Sequence, residues 1–234
     1  MRIKSLLINH HPKISEMAFM SELQKGNFNR EEILRSEIVE LYRALNTREK
    51  IQNIYKEKLS KAYKDGLIAE KDYALMNEVI EDEGETEDHI DHLDMRFKLF
   101  NGTDVRRGRL PKFNDTLDRI NNDWIQICRE SNIFEIMSCH CAIEGWYPKI
   151  SVFFENEYKK RGFTHEELEI FIAHQGADVE HSEAQYKILE DNFSKINENS
   201  INTMVKRTFD TSRGYEEMKL KFAKLNEPLS SFLE

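Results

Sequence analysis

One short segment of this chain carries three side chains of types that bind metal ions, spaced so that they share one helical face. The segment runs from Phe171 to His181 and contains His174, Asp178 and His181. Offsets of four and seven residues bring these side chains within a roughly 60° sector of a helix. Two imidazoles and a carboxylate are costly to bury unless they bind an ion or are fully hydrogen-bonded. The spacing therefore indicates a metal site, although a charged and solvated helix face would show the same spacing.

A second candidate ligand, Glu144, stands in an apolar helical segment. A lone buried glutamate raises its pKa or acquires a partner, and a metal ion is one such partner. His140 lies one turn earlier on the same face, as a substrate-pocket group or as a core histidine with an ordinary hydrogen bond. Pro148 predicts a kink near Glu144. Glycines inside helices, here Gly145 and Gly176, are tolerated more readily where space beside a metal is needed.

A third contribution comes from the acidic segment between Glu81 and His89. One helix is expected to end near Glu81 and the next to begin before His89, so both side chains can point inward; His92 is an alternative to His89. The three segments together offer three carboxylates and three imidazoles, namely Glu81, Glu144, Asp178, His89, His174 and His181. Six ligands of this mixture suit two iron ions. They are too many for a mononuclear facial triad, and without thiolates they are wrong for structural zinc.

The composition is typical of an all-α protein. Charged residues make up 33% of the 234 residues and hydrophobic residues 39%, with only four prolines and nine glycines. The net charge is −9 and no Lys/Arg cluster could follow a phosphate backbone, so nucleic acid is not an expected partner. No run of 18 apolar residues and no signal peptide is present, so we expect a cytoplasmic protein without a membrane partner. Cys128, Cys139 and Cys141 lack CxxC spacing and are expected to be buried free thiols.

The apolar periodicity predicts one domain, residues 1–234, of seven or eight helices with short connections. The predicted helices are Pro12–Lys25, Arg30–Lys64, Glu70–Glu83, a helix from Thr86, Asn114–Glu130, Ile133–Lys160, Glu166–Phe193 and Asn197–Leu225. The second is one long helix or two helices broken near residues 46 and 47. The loop Asn101–Lys112 carries Arg106, Arg107 and Arg109, which either bind an anionic substrate or are ordinary solvent-facing cations.

The candidate residues jointly resemble the motif of the haem-oxygenase-like diiron oxidase superfamily. The likeness spans about residues 12–193 and is carried by Asn77, Glu81, Gly84, His89, Glu144, His174, Asp178 and His181. It implies a seven-helix haem-oxygenase-like bundle that binds no haem and uses dioxygen as co-substrate. The two iron ions would be held by Glu81, His89, Glu144, His174, Asp178 and His181, and Glu144 and His140 would be catalytic. The segment from Glu81 to His89 is one residue longer than in a chlamydial member, and Met20 replaces a tyrosine of that member, so chemistry on that tyrosine is not expected.

The resemblance implies several classes of reaction. Members oxidise amino acids, amines or fatty acids by desaturation, C–C cleavage, N-oxygenation or decarboxylation. His140, Tyr147 and the arginine loop favour a small amino acid or amine-bearing carboxylate, oxidised in a biosynthetic pathway, with an external electron donor and homodimerisation left open. The alternatives are a fatty-acid decarboxylase, a metal-free thiaminase-like enzyme with Cys139 or Cys141 as nucleophile, and a non-enzymatic helical interaction protein.

Overall fold

The part of the chain that the structure, a computed structural model, describes is predominantly α-helical and comprises residues 2–82, 92–106, 109 and 111–234. Within these ranges there are two isolated β-bridges and no strand. The α-helices are α1 (Arg2–Ile8), α2 (Ala18–Gln24), α3 (Arg30–Lys64), α4 (Glu70–Asp82), α5 (His92–Lys98), α6 (Asp115–Glu130), α7 (Ile133–Lys159), α8 (Glu169–Asp191) and α9 (Glu198–Lys224). The all-α prediction is confirmed. None of the described helices is long and apolar enough to cross a membrane.

Asparagine side chains cap the N-termini of four of these helices. Asn29, Asn114, Asn132 and Asn197 each accept hydrogen bonds from backbone N–H groups of the first turn of α3, α6, α7 and α9. Such caps satisfy N–H groups that have no partner within the helix, and each is typically worth about 1 kcal/mol. These local signals explain why the predicted starts agree with the structure within one residue. Helix α3 is one unbroken helix of 35 residues, which decides between the two predicted forms.

The N-terminal prediction was wrong. The segment predicted as one helix, Pro12–Lys25, contains a short 3-10 turn and α2, separated by Met17 in an extended conformation with φ −102° and ψ 117°. Helix α1 precedes it and was not predicted. The N-terminus of α1 is capped by a residue that is distant in sequence. The backbone N–H groups of Arg2 and Ile3 donate to the carboxylate of Glu190 at 2.9 and 3.0 Å. The predicted start of another helix at Thr86 lies outside the described residues.

The buried apolar side chains of the described chain form one continuous core, in which the first two turns of α7 are buried on all sides. In the described chain α7 packs against α8 more extensively than any other pair, and the long helix α3 packs against α9, α6 and α7. The two helices that carry most candidate ligands are therefore neighbours along their length. Glu144, Asp178 and His181 come from this pair and are all buried.

The close packing of α7 on α8 depends on Gly145. A Cβ atom at this position would lie 2.5 Å from the hydroxyl oxygen of Tyr186, whose ring is buried on α8. A Cβ atom at Gly176 would meet no atom within 4 Å. The space at Gly145 is thus filled by a tyrosine, so the expectation that it clears room beside a metal was wrong for this glycine.

Alanine substitution at the two glycines should change the free energy of unfolding in opposite directions. Gly145→Ala should lower the free energy of unfolding by about 1–3 kcal/mol, because a buried ring must move. Gly176→Ala should raise it by up to about 1 kcal/mol, because alanine loses less backbone entropy in a helix. Urea unfolding followed by far-UV circular dichroism measures both. Equal effects of the two substitutions would mean that the contact with Tyr186 does not limit the approach of the helices.

Candidate functional site

Helix α7 brings a carboxylate into contact with α8. The Glu144 side chain is 8% exposed, and the side-chain amide of Gln185 on α8 donates a hydrogen bond to it. Pro148 has no N–H, so it cannot donate to the carbonyl of Glu144 as another residue at that helix position would. His140 lies one turn before Glu144, with its ring 4.9 Å from the ring of Tyr55.

Helix α8 carries the other three candidate ligands on one face. The ring nitrogen Nδ1 of His174 lies 2.5 Å from the carbonyl oxygen of Ile170, which fixes the plane of the imidazole. A bond from Nδ1–H to a backbone carbonyl is common in histidines that bind a metal through Nε2. Asp178 and His181 follow at one and two turns and are buried, at 2% and 6% exposure.

A cavity of about 190 Å³ separates this face of α8 from α3 and α5. We call it the metal-side cavity. Donor side chains of the kinds that bind iron line part of its wall, namely His92, His140, Glu144, His174 and Asp178. The structure thus places two of the three predicted carboxylates, Glu144 and Asp178, and one of the three predicted imidazoles, His174, on the wall of one cavity. His181 is buried further along the same helix and is not among the residues that line this cavity.

Of the other two predicted ligands, Glu81 and His89, the structure describes only Glu81. Glu81 is exposed in the last turn of α4 and does not line the metal-side cavity. His89 lies outside the described residues. Across the ranges 2–82, 92–106, 109 and 111–234, no group of three His, Cys, Asp or Glu side chains is arranged to hold a metal ion.

His92 is a cavity residue that the sequence offered only as an alternative. Its ring lies 4.9 Å from the ring of His174, edge to face, and its Nδ1 lies 3.3 Å from Nη2 of Arg48. It stands at the first position of α5, and its contact with the half-buried His174 is tertiary, so the sequence offered no signal for it beyond its place three residues after His89.

Three buried polar atoms near Glu144 have no hydrogen-bond partner among the described residues. They are Nε2 of Gln52, the hydroxyl of Tyr55 and Oε1 of Gln185. Gln52 lines the metal-side cavity, and Gln185 bonds to Glu144 through its other amide atom. Burial raises the pKa of Tyr55 well above its usual value, and the charge of Glu144 adds to this. Buried polar groups are nearly always paired, so these atoms fit a site that holds a polar ligand or ordered water.

A second cavity, of about 90 Å³, shares a wall with the first and is unusually rich in charge. We call it the charged cavity. Three acidic and three basic side chains line it, namely Glu37, Glu40, Glu216, Arg43, Arg96 and Lys219. These residues could not be recognised as a site from the sequence, because α3 and α9 form a charged cluster only after they pack together.

The ion pairs of the charged cavity are short and buried. Nζ of Lys219 lies 2.8 Å from Oε1 of Glu37, and the hydroxyl of Tyr158 donates to the same oxygen at 2.6 Å. Nε of Arg43 lies 2.8 Å from Oε2 of Glu40. Burial opposes the charge of Glu40, but its cationic neighbours, Arg43 first, lower its pKa to about 2. This carboxylate is therefore ionised at neutral pH.

The pKa of Glu216 is shifted in the opposite direction to that of Glu40. Burial raises its pKa from 4.5 to about 7, against the attraction of Lys219. Folding therefore favours its protonated form, and the native chain binds this proton more tightly than the unfolded chain. Its contribution to stability falls as the pH rises from about 4.5 through about 7.

Glu216→Gln should remove this pH dependence. The variant should match the natural protein near pH 4.5 and should be more stable by about 2–3 kcal/mol above pH 7.5. Glutamine can still accept the hydrogen bond that the Met20 N–H donates at 3.1 Å. Thermal unfolding of both proteins from pH 4.5 to 8 tests this, and a constant difference in melting temperature over that range would contradict it.

The three cysteines and the described arginines of the loop, Arg106 and Arg109, do not line either cavity. All three thiols are fully buried, and burial raises the pKa of Cys139 to about 12 and that of Cys141 well above its usual value. Nucleophilic cysteines need the opposite shift. Arg109 pairs with Asp104 at 2.8 Å and Arg106 is exposed, while Arg107 lies outside the described residues.

Comparison with known proteins adds no assignment. No protein-family model matches the chain, and no curated protein is significantly similar to it in sequence.

Proposed function

We propose that this protein is a non-haem diiron oxidase or oxygenase with a haem-oxygenase-like helical bundle, which activates dioxygen to oxidise a small amino-acid or amine-type substrate. The proposal is carried by one observation: α7 and α8 bury Glu144 and Asp178 on the wall of a cavity that His140 and His174 also line, and His181 is buried on the same face of α8. Glu81 and His89 are included in the proposal on the basis of the sequence motif alone. Two carboxylates and several imidazoles are ligands that suit iron.

The residues that would hold the ions are Glu81, His89, Glu144, His174, Asp178 and His181. Two bound iron ions would supply the reduction of dioxygen and the oxidising power for the substrate, with further electrons from an external donor. The partnerless atoms of Gln52, Tyr55 and Gln185 around Glu144 support a polar ligand at this position. The bond between Gln185 and Glu144 holds the carboxylate against α8.

His140 is proposed to act on substrate rather than on metal. Its ring packs between Tyr55 and Trp124, at centroid distances of 4.9 and 5.9 Å, on the wall of the metal-side cavity. An imidazole in this position can hold or move a proton at the reacting group. The aromatic neighbours fix its ring plane and limit water around it.

Iron binding tests the proposal directly. Under anaerobic conditions the protein should bind about two Fe(II) ions per chain, and oxygen uptake should rise when amino-acid or amine candidates are added. His174→Ala and His181→Ala should abolish tight iron binding while leaving far-UV helix content unchanged. His165→Ala, an exposed histidine before α8, is the matched control. Absence of iron binding by the natural protein, with normal helix content, would refute the proposal.

Two further variants test which histidine completes the set. We expect His89→Ala to lower iron from about two ions per chain to about one, because the motif assigns a ligand there. His92→Ala should retain both ions, since its ring is already engaged with Arg48 and His174. Iron analysis after gel filtration measures this. The reverse result would make His92 the ligand and would shift the motif by three residues.

A further inference from the structure

The charged cavity and the metal-side cavity share Arg43 and Arg96. Both arginine residues line both spaces, together with Trp124, Tyr147 and His174. The ring of Tyr147 lies 6.0 Å from that of His174, and its pKa is raised by burial and by the charge of Glu40. A molecule held by the arginines therefore has a continuous wall leading to the candidate metal ligands.

The two arginines keep donor groups for a ligand. In the described chain Arg43 contacts Glu40 through Nε, and Arg96 contacts Glu37 through Nη1 at a long 3.5 Å. A guanidinium has five N–H donors in a planar fork that matches a carboxylate. No Nη atom of either arginine is fully buried without a hydrogen-bond partner. The fold therefore needs no additional acceptor at these atoms, and they can donate to a ligand.

The charges of the cavity also favour an anion. Arg43, Arg96 and Lys219 carry three positive charges, and Glu37 and Glu40 carry two negative ones. Glu216 is partly protonated near neutral pH, because burial raises its pKa to about 7. When Glu216 is protonated, one positive charge has no counterpart among these six residues. A monocarboxylate supplies that counterpart.

From this geometry we infer that Arg43 and Arg96 bind the carboxylate of a small amino-acid-type substrate and hold its other end beside the candidate metal ligands. The inference rests on the proposed function for its reaction. It adds that the arginines rather than the metal hold the carboxylate, so oxidation occurs at a carbon or amine at the other end of the substrate. Direct oxidative removal of the carboxylate, as in a fatty-acid decarboxylase, does not fit this arrangement.

Intrinsic tryptophan fluorescence can report binding in the charged cavity. The two tryptophans of the chain, Trp124 and Trp146, both line this cavity. Intrinsic fluorescence and calorimetry can follow the titration of two matched probe pairs, L-norleucine with L-norleucinamide and hexanoate with hexanamide. Each amide keeps the shape of its acid and removes the negative charge. We expect at least one acid to bind with a Kd at least about tenfold lower than its amide.

Variants assign that binding to the arginines. The double variant Glu40→Gln/Arg43→Gln removes one ion pair without leaving a buried charge, and Arg96→Gln leaves Glu37 bonded to Lys219 and Tyr158. Each should weaken acid binding at least about tenfold with unchanged iron per chain. If Arg96→Gln does not fold, Arg96→Lys retains the charge but not the fork and should still weaken binding. Arg207→Gln, which removes an exposed pair with Glu130, is the matched control.

Three results would overturn the inference: equal binding of acids and amides, full acid binding in the arginine variants, or no signal from either acid. Acid binding that disappears when a chelator removes iron, and survives in the arginine variants, would place the carboxylate on the metal instead. Iron measured on the same samples separates the two proposals. Protein that binds acids through the arginines but binds no iron would refute the proposed function alone.

Discussion

Replacing Glu144 with glutamine should stop substrate-dependent oxygen consumption, with a fall of more than about 100-fold. Loss of an outer partner of a metal ligand typically costs about 10–100-fold, and loss of a ligand costs more. Glutamine keeps the volume and can still bond to Gln185, but it removes the negative charge that offsets part of the charge of two cations. We expect iron affinity to fall more at one position than at the other, and saturating Fe(II) should not restore activity.

Glu135→Gln is the matched control for this experiment. Glu135 lies on the same helix and is also 8% exposed, but it serves the N-terminal capping box of α7. Iron per chain and oxygen uptake are measured for both variants at saturating Fe(II) with the same substrate candidates. Oxygen uptake at the natural rate in Glu144→Gln would mean that this carboxylate is a core group outside the metal site.

Replacing Lys219 with methionine should destabilise the protein by about 3 kcal/mol or more. Lys219 is 2% exposed and pairs with Glu37, which is fully buried. Burial alone would lower the pKa of Lys219, but Glu37 and its neighbouring carboxylates raise it, so the pair is ionised in the fold. Removing one partner of a buried pair typically costs about 3–5 kcal/mol, because the other charge remains buried. For a chain of this size the melting temperature should fall by roughly 6 °C or more.

Two companion variants separate charge from packing. Adding Glu37→Gln to Lys219→Met removes the carboxylate that has lost its lysine, and Tyr158 keeps its hydrogen bond. Part of the lost stability should therefore return, although Arg96 loses its 3.5 Å contact with Glu37. Lys25→Met removes an exposed pair with Glu22 and should change stability by less than about 0.5 kcal/mol. Thermal unfolding at pH 7 measures all three. Failure of the double variant to recover any stability would attribute the loss to the contacts of the Lys219 ammonium group with the rings of Phe19 and Phe154, at 4.9 and 4.4 Å.

The sequence determined most of the helices because their signals are local. Asparagine caps and three- and four-residue apolar spacing fix helix starts and buried faces without reference to distant residues. The ends of α3 and the starts of α6, α7 and α9 were predicted within one residue for this reason. Helix α1 was not predicted because the residue that caps it, Glu190, is distant in sequence. The sharing of one helical face by His174, Asp178 and His181 was equally local, and those residues lie together on α8.

Only the tertiary structure decided what surrounds that face. The glutamine that bonds to Glu144, the tyrosine that requires Gly145 and the arginines shared by two cavities come from helices distant in sequence. Helical periodicity marks a charged residue as outward-facing, so Glu37 and Lys219 could not be recognised as a buried pair until α3 packed against α9. Burial of a charge depends on partners from other elements, because only a nearby opposite charge offsets the cost of desolvation. The sequence could therefore propose ligands on single helices, whereas the cavity beside them was a property of the packed bundle.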